Sequence, residues 1–130
     1  MTRLAVSFTL ALVALAAVVS AQPNVCVQLG GPLISICRAE LDEVEKIYPL
    51  NSETPITDEQ VAEILSVANS LNLPSDRCCQ QAARFAQERC PCDESLPPLL
   101  ARVGFEVTSV GLQSADKFTS QACNFEPVVC

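Results

Sequence analysis

The fold is decided by residues 78–92, which read CCQQAARFAQERCPC. Adjacent cysteines do not easily bond each other, so Cys78 and Cys79 each need a partner in a different distant segment. Cys90 and Cys92 likewise need separate partners. The other four of the eight cysteines flank this stretch, at Cys26, Cys37, Cys123 and Cys130. Because an even number of cysteines behind a secretion signal is typical of a disulfide framework, the sequence predicts four crosslinks that radiate from residues 78–92.

Residues 1–21 read as a secretion signal that is cleaved. Arg3 supplies a positive charge, a long apolar run follows, and Ser20 and Ala21 are small residues at the cleavage site. A membrane-spanning helix is the competing interpretation, since the apolar run approaches the length that crosses a bilayer. The small residues and the cysteines that follow favour cleavage. The predicted mature chain is a secreted single domain over residues 22–130.

The composition excludes several classes of function. The formal net charge is −7 at pH 7, which argues against nucleic acid and anionic lipid surfaces as partners. The chain has no histidine, so histidine-dependent catalytic triads and histidine-containing zinc fingers are ruled out. It also lacks a Gly-x-Ser-x-Gly nucleophile motif and a second apolar run. The sequence predicts a monomer that is not an enzyme and that has no metal, no cofactor and no stable membrane anchor.

Helical periodicity dominates the first half of the predicted domain. Glycine is scarce, at four residues, and hairpin turn pairs do not recur, which argues against an all-β module. The Gly30-Gly31-Pro32 stretch opens a predicted helix that Pro49 ends, with apolar residues every three or four positions in between. Thr57 and Gln60 form a predicted capping box at the start of the next helix.

Further caps predict the helices of the second half. Ser75 caps the helix that carries the paired cysteines, and Ser95 starts another helix that stops near Gly104. A short helix is predicted around residues 114–121, followed by an irregular tail at 125–130. The predicted fold is an all-α, disulfide-rich bundle of four to five helices around an apolar cavity.

The cysteine order C…C…CC…CxC…C…C on a helical secreted chain resembles the plant eight-cysteine superfamily. This superfamily contains non-specific lipid-transfer proteins, 2S seed albumins and α-amylase/trypsin inhibitors. The likeness is strongest from Cys78 to Cys130, where residues 99–108, LLARVGFEVT, are similar to a lipid-transfer segment that ends in a Gly-Ile-Asn-Val-Thr type of run. The resemblance implies a helical bundle around a tunnel that accepts an acyl chain.

The chain departs from this pattern in its first half. The stretch between Cys37 and Cys78 is far longer than in the family, with an inserted loop and helix at residues 49–74. Two short headgroup motifs of type-1 members, Thr-x-x-Asp-Arg and Pro-Tyr-x-Ile-Ser, are absent, and this chain is acidic where many members are basic.

The resemblance also implies a disulfide pairing. Two pairs are expected: Cys37–Cys78 and Cys79–Cys123. Two arrangements of the rest stay open: Cys26–Cys92 with Cys90–Cys130, or Cys26–Cys90 with Cys92–Cys130. In the family a polar residue inside the CxC element goes with the first arrangement and an apolar residue with the second. Pro91 favours neither.

A tunnel requires lining residues and a contact for the polar end of the ligand. The predicted lining consists of Leu41, Val44, Ile64, Leu65, Phe85, Leu100, Val103, Phe105, Val110 and Phe118. A solid core would use the same residues at the same spacing, and the resemblance favours the cavity for the set as a whole. The headgroup candidates are Arg89, Arg102, Lys117 and Tyr48, each of which also fits a plain surface or core-edge role.

The predicted function is reversible binding of a fatty acid, an acyl lipid or another small apolar ligand. Burying an acyl chain gains about 0.8 kcal/mol for each methylene and needs no directional contact. The alternative is a protease or α-amylase inhibitor, or a defence protein, on the same scaffold. A loop directed at trypsin needs an exposed lysine or arginine, and residues 49–55 and 96–99 contain neither.

Overall fold

The computed structural model describes residues 24–130, and this part of the chain contains six α-helices, one 3₁₀ helix and no strand. The elements are α1 (Val25–Ile36), α2 (Arg38–Glu45), α3 (Asp58–Ser70), α4 (Asp76–Gln87), the 3₁₀ helix (Cys90–Cys92), α5 (Leu96–Ala101) and α6 (Ser109–Cys123). The predicted all-α, disulfide-rich class is confirmed, with more helices than the four or five expected. The predicted secretion signal lies outside the described residues. Over residues 24–130, every helix is too short or too polar to cross a membrane.

The predicted start of the first helix is wrong. Helix α1 begins at Val25, where the side chain of Asn24 accepts a hydrogen bond from the Cys26 N–H at 2.8 Å. The Gly30-Gly31-Pro32 stretch lies inside α1 rather than before it. Proline inside a helix removes one backbone hydrogen bond, and glycine weakens a helix. Tertiary packing outweighs these two local effects, because α1 packs along α4 and a disulfide joins each end of α1 to residues 78–92.

The caps predicted at Thr57 and Ser75 are present in the structure, whereas Ser95 precedes α5 without a capping hydrogen bond from its side chain. The Gln60 N–H donates to Thr57 Oγ1 at 3.1 Å, and the Thr57 N–H donates to Gln60 Oε1 at 3.0 Å, which completes the capping box. Ser75 Oγ accepts from the Cys78 N–H at 3.2 Å. Gly104 has a φ of +83° and follows α5 in a Schellman turn, where residue 105 donates back to the carbonyl of residue 100.

Removal of the α3 cap should have a measurable effect. The Thr57→Ala variant loses the oxygen that accepts from Gln60, so we expect it to lower the free energy of unfolding by about 1 kcal/mol. Thr54→Ala is the matched control, because Thr54 is exposed and only its backbone forms hydrogen bonds with residues 24–130. Urea denaturation measures both variants, and equal stability of the two would contradict the role of the cap.

Helix α6 is longer than the predicted segment 114–121. It starts after Thr108, whose Oγ1 accepts from the Gly111 N–H at 2.9 Å, and it continues to Cys123. A glycine near its start concealed the helix from sequence reasoning, because glycine has a low helix propensity. The structure shows why glycine stands there: a Cβ at position 111 would lie 1.8 Å from the carbonyl oxygen of Leu50.

Four disulfides connect the helices. The structure pairs Cys37 with Cys78 and Cys79 with Cys123, as the resemblance implies. The remaining bonds take the second of the two open arrangements, Cys26–Cys90 and Cys92–Cys130. The α4 and 3₁₀ segment is therefore bonded to α1, to α6 and to the irregular tail. The helices connected in this way surround a common apolar interior.

Candidate functional site

Two apolar pockets lie side by side in this interior. The first, here called the α3 pocket, has a volume of about 100 Å³ and is bounded by α2, α3 and α6. The second, the α5 pocket, has a volume of about 80 Å³ and lies among α1, α4, α5 and α6. The two share a common wall, which consists of Leu33, Leu41, Ala82, Ala115 and Thr119. These five residues border both pockets.

The α3 pocket is formed by the apolar faces of amphipathic helices. On α3, Ile64, Leu65 and Ala68 recur at helical spacing and face the pocket. Two carboxylates stand among the lining residues but bond elsewhere. Glu40 accepts from the backbone N–H of Ser75 at 2.9 Å, and Glu43 forms an ion pair with Lys46 at 2.7 Å. The rest of the lining of this pocket is therefore mainly apolar.

The α5 pocket contains a buried carboxylate. Asp116 on α6 is only 7 % exposed and borders the pocket among aliphatic and aromatic side chains. Its Oδ2 accepts from the backbone N–H of Val128 at 2.6 Å, which ties the tail to α6. Burial raises the pKa of the Asp116 carboxyl, and the hydrogen bond from Val128 opposes this only in part.

Most of the predicted lining residues border one of the two pockets. They are Leu41, Val44, Ile64, Leu65, Phe85, Leu100, Phe105 and Phe118. Val103 and Val110 line neither pocket. The prediction for Val103 is wrong because α5 ends before it and the turn leaves its side chain 74 % exposed. Val110 lies at the start of α6, half-buried and outside both pockets.

The three cationic headgroup candidates lie away from both pockets. The Arg89 guanidinium donates to the backbone carbonyl of Val129 at 2.9 Å. The Lys117 ammonium donates to Asp58 at 2.7 Å, and this hydrogen bond, with the charge of Lys117, lowers the pKa of the Asp58 carboxyl. Arg102 is exposed on the turn after α5. The structure brings none of the three to a pocket.

Tyr48 is a core residue rather than a headgroup contact. Its side chain is 2 % exposed, and its hydroxyl lies 2.8 Å from the carbonyl oxygen of Thr54 and 3.0 Å from Ser114 Oγ. Ser114 Oγ also accepts from the Ile56 N–H at 3.2 Å. These bonds attach the loop after α2 to α6. The Tyr48 hydroxyl is therefore occupied by the fold.

Sequence reasoning missed small and polar residues that border the pockets. Ala82 and Ala115 leave space between α4 and α6, but alanine occurs on any face of a helix and gives no positional signal. Asp116 was not among the predicted site residues, and aspartate is almost never fully buried. Its neighbours offered a signal, since Leu112 and Thr119 place it on the inner side of α6.

Comparison of this chain with family models, with curated proteins and with solved structures found no match. Within residues 24–130, no three side chains of the histidine, cysteine, aspartate or glutamate type are grouped to hold a metal ion. The geometry of the two pockets and the disulfide framework is therefore what bears on function.

Proposed function

We propose that the protein binds a small apolar ligand, such as an acyl chain, reversibly between its helices and catalyses no reaction on it. The observation that carries this proposal is the pair of apolar pockets with a common wall, inside a bundle held by four disulfides. Small-molecule sites are lined mainly by apolar side chains with a few polar groups, and the lining of both pockets has this character.

The size of the pockets supports one chain-like ligand rather than two. An apolar cavity of about 150 Å³ stays dry and admits benzene. Each pocket alone is smaller than this, and the two together are larger. We expect a bound chain to displace the half-buried Leu33 and Leu41 side chains, which border both pockets, and so to occupy one elongated site. Burying about eight methylenes there would gain roughly 6 kcal/mol before the costs of association.

The disulfides offset the stability that the pockets remove. A cavity destabilises a protein by about 24 cal/mol for each Å³, which is about 2 kcal/mol for a pocket of either size. A native disulfide contributes about 2–4 kcal/mol. The crosslinks therefore permit an interior that is not fully packed. Such bonds form and persist in oxidising compartments, so we also propose that the protein is secreted.

The pairing supports the resemblance to the plant eight-cysteine superfamily. Two of the four bonds, Cys37–Cys78 and Cys79–Cys123, are those that the resemblance implies, and the other two, Cys26–Cys90 and Cys92–Cys130, are one of its two arrangements. We therefore propose that the chain is a member of this superfamily, within its lipid-transfer branch.

Blocking the common wall tests the proposed function. We expect the oxidised protein to bind N-phenylnaphthylamine, a neutral apolar dye, saturably. In Ala115→Phe the added ring fills space next to both pockets. We expect the dissociation constant of the dye to rise at least about tenfold, which is a loss of about 1.4 kcal/mol of binding free energy. Ala62→Phe adds the same ring on the exposed side of α3 and should bind as the unmodified protein does.

Two results of this titration would refute the proposal. One is the absence of saturable dye binding while the disulfides are intact. The other is equal binding by Ala115→Phe and Ala62→Phe. Either result would favour the alternative of a hydrolase inhibitor that acts through an exposed loop.

A further inference from the structure

The charged residues around the pockets have one sign. The α3 pocket is bordered by Glu40 and Glu43, and the α5 pocket by Asp116. Among residues 24–130, no lysine or arginine lines either pocket. A fatty acid carries a carboxylate at neutral pH and would bring a second negative charge into a partly desolvated site with no cation to neutralise it. The lining therefore selects against anionic ligands.

Among residues 24–130, Asp116 is the one buried carboxylate. A carboxylate accepts hydrogen bonds on two oxygens, and the described residues give Asp116 a single donor, the Val128 N–H on Oδ2. The other oxygen, Oδ1, has no partner among the described residues, and since no fully buried side-chain oxygen there lacks a partner, Oδ1 must retain some solvent-accessible surface. It can accept one more hydrogen bond.

A donor for this position must enter an otherwise apolar site. The hydroxyl of an alcohol donates a hydrogen bond and loses little on leaving water, whereas an ammonium group loses much more of its hydration when it is buried. Glu40 and Glu43 do not offset this cost for an amine, because each already has a partner, the Ser75 N–H and Lys46 respectively. The chemistry of the lining thus favours an uncharged donor over both a carboxylate and an amine.

We propose that the ligand is a long-chain alcohol, whose hydrocarbon tail lies in the two pockets and whose hydroxyl donates to Asp116. This inference rests on the proposed function, and it names the ligand class that the same site selects. Asp116 is then the residue that determines specificity, while the common wall provides the affinity for the tail.

The test compares three ligands of one chain length, decanol, decanoate and decylamine, as competitors of bound N-phenylnaphthylamine at neutral pH. We expect decanol to displace the dye at a concentration about tenfold lower than decanoate, because the decanoate charge is repelled in a partly buried site. Decylamine should displace the dye only at a higher concentration than decanol does. Equal potency of decanol and decanoate, or a lead of either charged ligand, would overturn the proposal.

Asp116→Asn assigns the preference to this residue. Asparagine keeps an oxygen that can accept from the Val128 N–H but carries no charge, so the gap between decanol and decanoate should shrink by about fivefold or more. Asp42→Asn makes the same change at an exposed position of α2 that borders neither pocket, and it should leave the gap unchanged. An unchanged gap in Asp116→Asn would refute the role of Asp116.

These outcomes separate the two proposals. If the dye does not bind the unmodified protein, the proposed apolar site itself is refuted. If the dye binds and the alcohol shows no preference, only the ligand class is refuted. The ranking of ligands on the unmodified protein stands without any variant, so a folding defect in Asp116→Asn cannot hide a failure.

Discussion

The Gly111→Ala variant is expected to have a free energy of unfolding about 3 kcal/mol lower than that of the unmodified protein, because the structure has no room for the added methyl group. Its Cβ would lie 1.8 Å from the Leu50 carbonyl oxygen and 2.8 Å from the carbonyl carbon. These are backbone atoms, which cannot rotate aside as the end of a flexible side chain can. Leu50 is itself buried, and its carbonyl accepts from the Thr108 N–H at 3.1 Å. The clash therefore pushes the start of α6 away from the loop that follows α2.

Gly31→Ala is the matched control for this prediction. Gly31 lies inside α1, and no atom comes within 4 Å of an added Cβ. Alanine favours a helix over glycine, so this variant should gain about 0.5–1 kcal/mol. Urea denaturation of both variants gives the comparison. A Gly111→Ala protein as stable as the unmodified one would show that α6 does not approach Leu50 as closely as the structure has it.

Removal of the Cys26–Cys90 disulfide is expected to lower the free energy of unfolding by about 4 kcal/mol. The bond spans a sequence separation of 64, so its loss frees a long loop in the unfolded chain. Both cysteines are also buried, and Cys90 has no exposed surface. The double variant Cys26→Ala/Cys90→Ala loses the link from the start of α1 to the central segment. Thermal and urea denaturation without reductant measure the loss.

The Cys92–Cys130 bond provides the comparison. Its sequence separation is 38, so the entropy term alone would be only slightly smaller than for Cys26–Cys90. Cys130 is exposed at the end of an irregular tail, and the tail can fray when the bond is gone. We therefore expect Cys92→Ala/Cys130→Ala to lose only about 2 kcal/mol. Equal losses in the two double variants would contradict the importance of burial around Cys90.

Local signals in the sequence predicted those parts of the fold that local physics determines. The capping box at Thr57 and Gln60, the cap at Ser75 and the stop at Gly104 each depend on hydrogen bonds within a few residues. The start of α1 and the length of α6 depend on distant packing instead. Pro32 and Gly111 argue against a helix locally, and only the contacts of α1 with α4 and of α6 with Leu50 explain them.

The candidate site, like the fold, was predictable only where a local sequence pattern determines it. Large apolar residues such as Ile64 and Phe118 were recognised because helical spacing marks the face that they share. The cationic headgroup candidates were not confirmed, since sequence position says nothing about which way an exposed side chain lies. Ala115 and Asp116 were missed because their importance comes from the space and the burial around them, which residue type alone does not indicate.

The central claim is that an apolar ligand lies between the helices, and the position of a bound chain tests it most directly. Isotope-filtered nuclear Overhauser spectra of the labelled protein with decanol report which protein protons lie near the ligand. We predict contacts from the decanol methylenes to the methyl groups of Ala82 and Ala115, on the wall that both pockets share. Contacts confined to exposed residues such as Val103 and Val129, at saturating ligand, would contradict the account.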